Sequence, residues 1–382
     1  MRQAPWPDPD PQALAAGGRL LERIGAELAR HGDWISFARY MELALYQPGL
    51  GYYAGGAAKL GAAGDFVTAP ETGALFGRAL ARQVAELLRP GDALLELGAG
   101  SGALAGVLAD ELDRLGAGGH EYLILEPSAE LAARQRDRLA SRESVRWVGA
   151  LPERFRGVMI ANEVADAMPV HALAWTATGI LERGVCARNG ALGWSDRPAE
   201  GEVLAAAAEL AVELPPSGRY ESELGLAARA WMRTLGAHLE RGALLVIDYG
   251  FPRREYYHPQ RSMGTLQCHY RHRSHGDPFF YPGLQDITAH IDFSALATAA
   301  RDGGLELLGY AQQAQFLINC GLTDLLGEVD PDDAPRYAPL AAEAQRLVSP
   351  AEMGELFKVL AVGRGVASPL RGFARGDRRR AL

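Results

Sequence analysis

The chain has 382 residues, 48% apolar and 23% charged, and holds no apolar run near the roughly 18 to 20 residues that a membrane span requires. That length can bury one large core with insertions, or one and a half domains. A formal net charge of −8 opposes a general grip on nucleic-acid backbones, which needs basic surface to displace counterions.

Three cysteines, Cys186, Cys268 and Cys320, are far apart and lack CxxC spacing, which argues against a disulfide framework or a structural metal site. A soluble, cytoplasmic protein is expected. Met1 to Pro11 alternates prolines with acids and resembles neither a secretory signal nor a transit peptide, so residues 1–13 are expected to form a disordered tail. Apolar residues recur at helical spacing over Leu14 to Ala29, Ile35 to Leu45 and Leu75 to Leu88, which makes residues 14–90 a helical cap. Within it, glycines at 49, 51, 55, 56, 61 and 64 suggest a mobile stretch.

From there the pattern alternates. Ala93 to Leu97, Tyr122 to Glu126 and Val145 to Val148 read as strands, with helices over Leu104 to Leu115 and Ser128 to Ala140 between them. Val158 to Ala161 and Ala243 to Tyr249 are expected as a fourth and a fifth strand, which implies an α/β fold around a parallel sheet. Later come a helix over Phe293 to Arg301, strands over Leu305 to Tyr310 and Leu356 to Val362 that can pair as a hairpin, and added helices over Phe316 to Leu347. The run Arg378 to Arg380 reads as part of a solvated tail.

Glu96-Leu97-Gly98-Ala99-Gly100-Ser101-Gly102 marks the turn from the first strand into the first core helix. Glycines there bring bare backbone beside a ligand, where a Cβ would block the approach. Gly100, Gly102 and Ala105 also satisfy the dinucleotide pattern GxGxxA, with Glu126 about two dozen residues on, so an NAD-dependent enzyme stays open. S-adenosylmethionine is favoured because Glu96 precedes the first glycine, the glycines alternate, and an acid beside a pyrophosphate is harmful. In that reading Glu96 anchors the cationic amino end of the methionine moiety and Glu126 accepts both ribose hydroxyls. Glu126 can equally serve only as an acid at the start of the next helix, after Pro127 and Ser128.

The fourth strand ends in Asn162 and Glu163, followed by Asp166, and so delivers polar groups to the carboxyl edge of the sheet, where open α/β folds bind ligands. Methyl transfer needs mainly positioning. Paired carboxylates matter when the acceptor is a guanidinium, which is protonated at neutral pH and offers a fork of donors. Both acids can instead be loop caps. His269, His272 and His275 beside Cys268 superficially suggest a metal, but Tyr270, Arg271 and Arg273 make residues 268–275 a basic aromatic loop, and no metal is expected. His290 and Asp292 form a candidate acid–base pair, with an N-cap by Asp292 as the alternative.

Gly64 to Glu71, Glu96 to Gly102, Asn162-Glu163 with Asp166 to Val170, Val246 to Gly250, Gly264-Thr265-Leu266, Asp286 to Phe293 and Glu352 to Lys358 occur in this order. Together they resemble the MidA-like family, which includes a mitochondrial arginine methyltransferase that assists assembly of respiratory complex I. The resemblance covers the chain from about Ile35 to Val362. It implies a class I, Rossmann-like methyltransferase sheet of seven mostly parallel strands with an antiparallel last strand. It also implies S-adenosylmethionine as cofactor and an arginine-presenting protein as substrate, a complex I subunit for the mitochondrial members, while the lack of a transit-peptide pattern is what a bacterial member is expected to show.

The layout expected is therefore a core over 91–367 with insertions near 170–225, 251–290 and 315–350, and a basic tail over 368–382. The expected cofactor residues are Thr68, Pro70, Glu71, Glu96, Gly98, Gly100, Gly102, Glu126 and Asn162, with Asp65 to Glu71 closing the cap. The expected catalytic residues are Glu163, Asp166 and His290. The alternatives are a small-molecule or other protein methyltransferase and a non-catalytic assembly factor that retains the fold.

Overall fold

The computed structural model describes residues 6–55, 68–210 and 212–382. The chain divides into two compact units, one of Met1–Phe66, Ala167–Ala227 and Tyr257–His290, the other of Val67–Asp166, Ala228–Tyr256 and Ile291–Leu382.

The second unit is built on seven strands: β1 (Ala93–Leu97), β2 (Glu121–Leu125), β3 (Val145–Val148), β4 (Phe155–Asn162), β5 (Leu239–Phe251), β6 (Glu306–Gln312) and β7 (Phe357–Arg364). They lie side by side in the order β6-β7-β5-β4-β1-β2-β3. Strands β1 to β5 are mutually parallel, and β7 runs antiparallel to both its neighbours. A two-residue eighth strand, Ile291–Asp292, pairs with the end of β5. The chain winds outward from β1 through β2 and β3, then returns to the other side of β1 with β4. That reversal leaves a crevice at the carboxyl ends of β1 and β4.

The near-continuous apolar character of β4 and β5 follows from burial on both faces, since Val158, Met159, Ile160, Leu244, Leu245, Val246 and Ile247 are all fully buried. Both strands extend beyond the apolar runs that mark them in the sequence. Ladder pairing uses backbone N–H and C=O groups, so it continues into Phe155-Arg156 and Leu239 to Gly242 regardless of side chain.

The expected cap over 14–90 splits between the units. Leu75–Leu87 belongs with the sheet because Phe76, Leu80 and Val84 enter the same buried cluster as Leu104, Leu108 and Ile160. Each such side chain contributes about 1.5–3 kcal/mol on burial. The end of the chain is likewise no detached tail: Leu370 and Phe373 are 2% exposed and join that cluster, and Arg378 donates its backbone N–H to Tyr310 O.

In the first unit the helices Pro11–Arg30 and Phe37–Tyr46 share a core with strands. Those strands, Ile35–Ser36, His171–Thr176, Gly179–Arg188, Ala191–Pro198 and Arg219–Leu224, form an antiparallel sheet. The region near 170–225, whose fold the sequence leaves open, is thus largely sheet. Residues 6–10 are also not loose, since Trp6 packs edge-on against His275 and Pro7 O accepts the Tyr270 hydroxyl. Met1 to Pro5, Gly56, Gly61, Gly64 and the Asp65 to Val67 part of the expected closing segment lie outside the described residues.

Where β1, β4 and β5 run side by side, Gly157 has φ +136, and a Cβ there would stand 1.9 Å from Ala93 O. Gly157→Ala is expected to cost about 3 kcal/mol or more of stability. Urea denaturation of the variant beside the parent measures it, and an unchanged midpoint would refute the close approach.

Candidate functional site

The site residues of the second unit gather at the carboxyl edge of its sheet. After β1 the chain turns through Gly98, Gly100 and Gly102 with φ of 64, 56 and 79, a left-handed region that favours glycine. The Gly98 N–H reaches across to Leu125 O at 3.0 Å, which ties the turn to the tip of β2. A Cβ on Gly98 would lie 3.1 Å from the Val164 side chain. Ser101 Oγ accepts from Arg138 Nη1 at 2.9 Å and donates to the Glu71 carboxylate. Glu71 thereby ties the short helix Ala69–Thr72 to the glycine turn. Thr68 stands at the N-cap of that helix without a side-chain cap bond, and Pro70 lies in its first turn.

Glu96 is 3% exposed, and its Oε2 accepts the Tyr122 hydroxyl at 2.6 Å. Burial pushes its carboxyl up to about 7, with the Glu126 charge adding to the rise and the Tyr122 hydrogen bond opposing it. Glu126 follows β2 directly and is held on both oxygens. Its Oε1 accepts the Ser128 N–H at 3.0 Å and its Oε2 the Gln135 amide at 3.0 Å. Asn162 Nδ2 donates to Glu163 Oε1 at 3.1 Å, while Asn162 Oδ1 is buried without a hydrogen-bond partner among the described residues.

The acids beyond β4 are organised by β5. Glu163 adopts φ +54 and donates its N–H to Ile247 O at 2.9 Å. Asp248, 0% exposed, accepts from the backbone N–H groups of Ala165 at 3.0 Å and Asp166 at 3.2 Å on Oδ2, and from Tyr249 N at 2.9 Å on Oδ1. The Tyr249 hydroxyl donates to Asp166 Oδ2 at 2.5 Å. Burial first, then the Asp166 charge, pushes the Glu163 carboxyl up to about 8; hydrogen bonds from Asn162 and the Ala69 backbone oppose the rise. Burial, Asp166 and Glu163 together raise Asp248 far above the ordinary carboxylate range.

The residues singled out in the sequence thus fall into two groups. Thr68, Pro70, Glu71, Glu96, Gly98, Gly100, Gly102, Glu126, Asn162, Glu163 and Asp166 all belong to the second unit. His290 belongs to the first, where its backbone N–H donates to Thr265 Oγ1 at 3.1 Å. Asp292 caps the helix Phe293–Asp302 through Ala295 N at 3.0 Å and pairs with Arg253 at 3.4 Å, the capping use that the sequence offers as the alternative. The histidines at 269 and 275 lie on the strands Gln267–Tyr270 and Arg273–His275, with His272 in the turn between them. Asp248, Tyr249 and Gln135 carry no role in the sequence reading. An aspartate inside the apolar run Leu244 to Ile247 and Tyr249 was the available signal for the first two, since a strand buried on both faces tolerates such a group only where it is hydrogen-bonded.

Residues 75–311, more than half of the chain, match the family described as "Putative S-adenosyl-L-methionine-dependent methyltransferase". The chain belongs to this family. A Burkholderia thailandensis protein whose crystal structure holds S-adenosyl-homocysteine is 50% identical, covers 99% of this chain and all of its own, and superposes with a TM-score of 0.93. Among curated relatives, the mitochondrial protein arginine methyltransferase NDUFAF7 of Danio rerio is 29% identical over 90% of this chain and 86% of its own length. The Homo sapiens protein of that name is 28% identical over 86% and 80%. The fold is the class I methyltransferase fold, and the cofactor of the methyltransferase is S-adenosylmethionine, which closes the dinucleotide alternative. Among the described residues, no helix is long and apolar enough to cross a membrane.

The residues present fit that cofactor. Three left-handed glycines leave backbone bare, a carboxylate held at the tip of β2 suits a ribose diol, and the unpaired Asn162 Oδ1 offers an acceptor to an ammonium group. Glu163 generates a testable pH effect. Because its folded-state proton affinity exceeds the unfolded value of 4.5, its stabilising contribution is complete below that pH and is lost as pH rises through about 8. In the unliganded methyltransferase, Glu163→Gln is expected to flatten the decline of Tm between about pH 5 and 8.5. Calorimetric melts of both proteins test this, and parallel profiles would contradict a raised Glu163.

Proposed function

We propose that this methyltransferase methylates arginine in a partner protein, and that Glu163 and Asp166 hold the guanidinium. The supporting observation is the set of three carboxylates, Glu163, Asp166 and Asp248, at the tips of β4 and β5. Burial first, and then the charges of neighbouring carboxylates, raise both Glu163 and Asp248. A guanidinium supplies a positive charge and a planar fork of donors that matches carboxylates. The names of the mitochondrial relatives support the same acceptor class.

When bound, S-adenosylmethionine supplies an electrophilic methyl group on a sulfonium. In this reading Glu126 accepts the ribose hydroxyls, while Asn162 and the glycine turn receive the methionine end. Glu163 orients the guanidinium nitrogen toward the methyl group and takes the proton that the nitrogen sheds. Its high proton affinity suits a base working near neutral pH. Asp166, oriented by the Tyr249 hydroxyl, holds the other arm of the fork. The carboxylates act mainly by positioning, because methyl transfer asks for an in-line approach and a site without water.

With labelled cofactor and a cell extract, the label is expected in arginine side chains of protein. Glu163→Gln and Asp166→Asn are each expected to lower that transfer about 100-fold or more while cofactor affinity stays within about threefold. Label confined to low-mass products would overturn the protein-arginine reading in favour of a small-molecule acceptor. Separately, Glu126→Ala is expected to weaken S-adenosylhomocysteine about tenfold or more in calorimetric titration, the loss of a charged hydrogen bond.

A further inference from the structure

Gln135 lies on the helix Ala129–Arg138 and is 0% exposed. Its amide nitrogen donates to Gly100 O at 2.9 Å and to Glu126 Oε2 at 3.0 Å, and its amide oxygen accepts the Trp147 indole N–H at 2.9 Å. One buried side chain thus joins the glycine turn, the acid after β2 and strand β3, where Trp147 stands opposite Ile124 of β2. The Arg136 guanidinium lies 5.1 Å over the Trp147 ring and covers its face.

The two ends of a carboxamide are alike in shape and opposite in polarity, so a buried amide can turn over unless a neighbour forbids it. An indole N–H is a donor and nothing else. With Trp147 fixed, the amide oxygen must face the indole, and the NH2 end must face two acceptors, Gly100 O and Glu126. We infer that Trp147 and Gln135 form a positioning pair for the cofactor: the indole sets the amide, and the amide aims the Glu126 carboxylate at the ribose diol.

The Ser128 N–H holds the other oxygen of Glu126, and a carboxylate has about four lone-pair sites, so acceptor capacity remains for the ribose hydroxyls. Burial draws a proton toward Glu126, while the Ser128 and Gly100 backbone and the Gln135 amide oppose it. Losing the amide therefore removes both an aim and a support for the charged form. This rests on Glu126 as the ribose acceptor.

The test is calorimetric titration with S-adenosylhomocysteine and with its 2′,3′-dideoxy analogue, with melts of every variant as a check on folding. Gln135→Leu is expected to weaken S-adenosylhomocysteine about tenfold and the dideoxy analogue by much less, because the lost interaction is with the ribose hydroxyls. Trp147→Phe, which leaves the amide oxygen without its donor and loosens the amide, is expected to weaken it about threefold. Gln135→Glu keeps the shape but sets a second carboxylate beside Glu126, so its affinity is expected to improve as pH falls and the pair comes to share a proton. Equal weakening of both ligands, or the absence of any pH effect in Gln135→Glu, would mean a structural amide only and would overturn the inference. Parent-like binding by Gln135→Leu alongside a loss in Glu126→Ala would overturn this inference alone. Parent-like binding by Glu126→Ala would overturn the ribose reading and this inference with it.

Discussion

The Asp248 carboxylate, buried between strands, receives three backbone N–H groups, and the arrangement of the acidic site depends on that reception. Ala165 and Asp166 donate to one of its oxygens and Tyr249 to the other. A chain leaving β4 with a left-handed residue at Glu163 would otherwise present buried, unpaired amides, each costing about 1–3 kcal/mol. Asp248 satisfies them and so sets where Glu163 and Asp166 stand. Nearby acids raise one another's proton affinity, so the same strut that orders the loop also assembles groups eager for a cation or a proton.

The cofactor side follows a parallel logic from a different constraint. Left-handed backbone at Gly98, Gly100 and Gly102 removes side chains from the turn, and the positions of the surrounding acids are then set by hydrogen bonds reaching in from other elements. Glu71 comes in on a short helix through Ser101, and Glu126 is held between Ser128 and Gln135. The Ala69–Thr72 helix serves both halves, since its Ala69 backbone bonds to Glu163 and its Glu71 to Ser101. Glu96 stands apart from this set, with its carboxyl turned to Tyr122 on the neighbouring strand.

Much of this was legible in the chain itself. β1 and β3 begin and end where apolar runs do, because those strands are short and bounded by turns. The glycine turn and the acids at 126, 163 and 166 announce themselves by falling just past apolar strands. Asp292 serves a helix terminus, a use that sequence spacing alone cannot separate from chemistry. Gln135 was invisible, since a glutamine on an otherwise polar helix looks solvated until its partners are in place.

The sequence by itself determined the parallel sheet, the bare backbone of the turn and the chemical types at the carboxyl edge. All of these are local: periodicity, glycine's freedom and the polarity of a residue at the end of a run. Only the tertiary structure decided which groups hold those acids and in what state. Trp147 meets Gln135 from 12 positions away, and Asp248 meets Asp166 from 82. A proton's affinity for a carboxylate depends on the burial and charges that such distant partners bring, and no spacing along the chain encodes that sum.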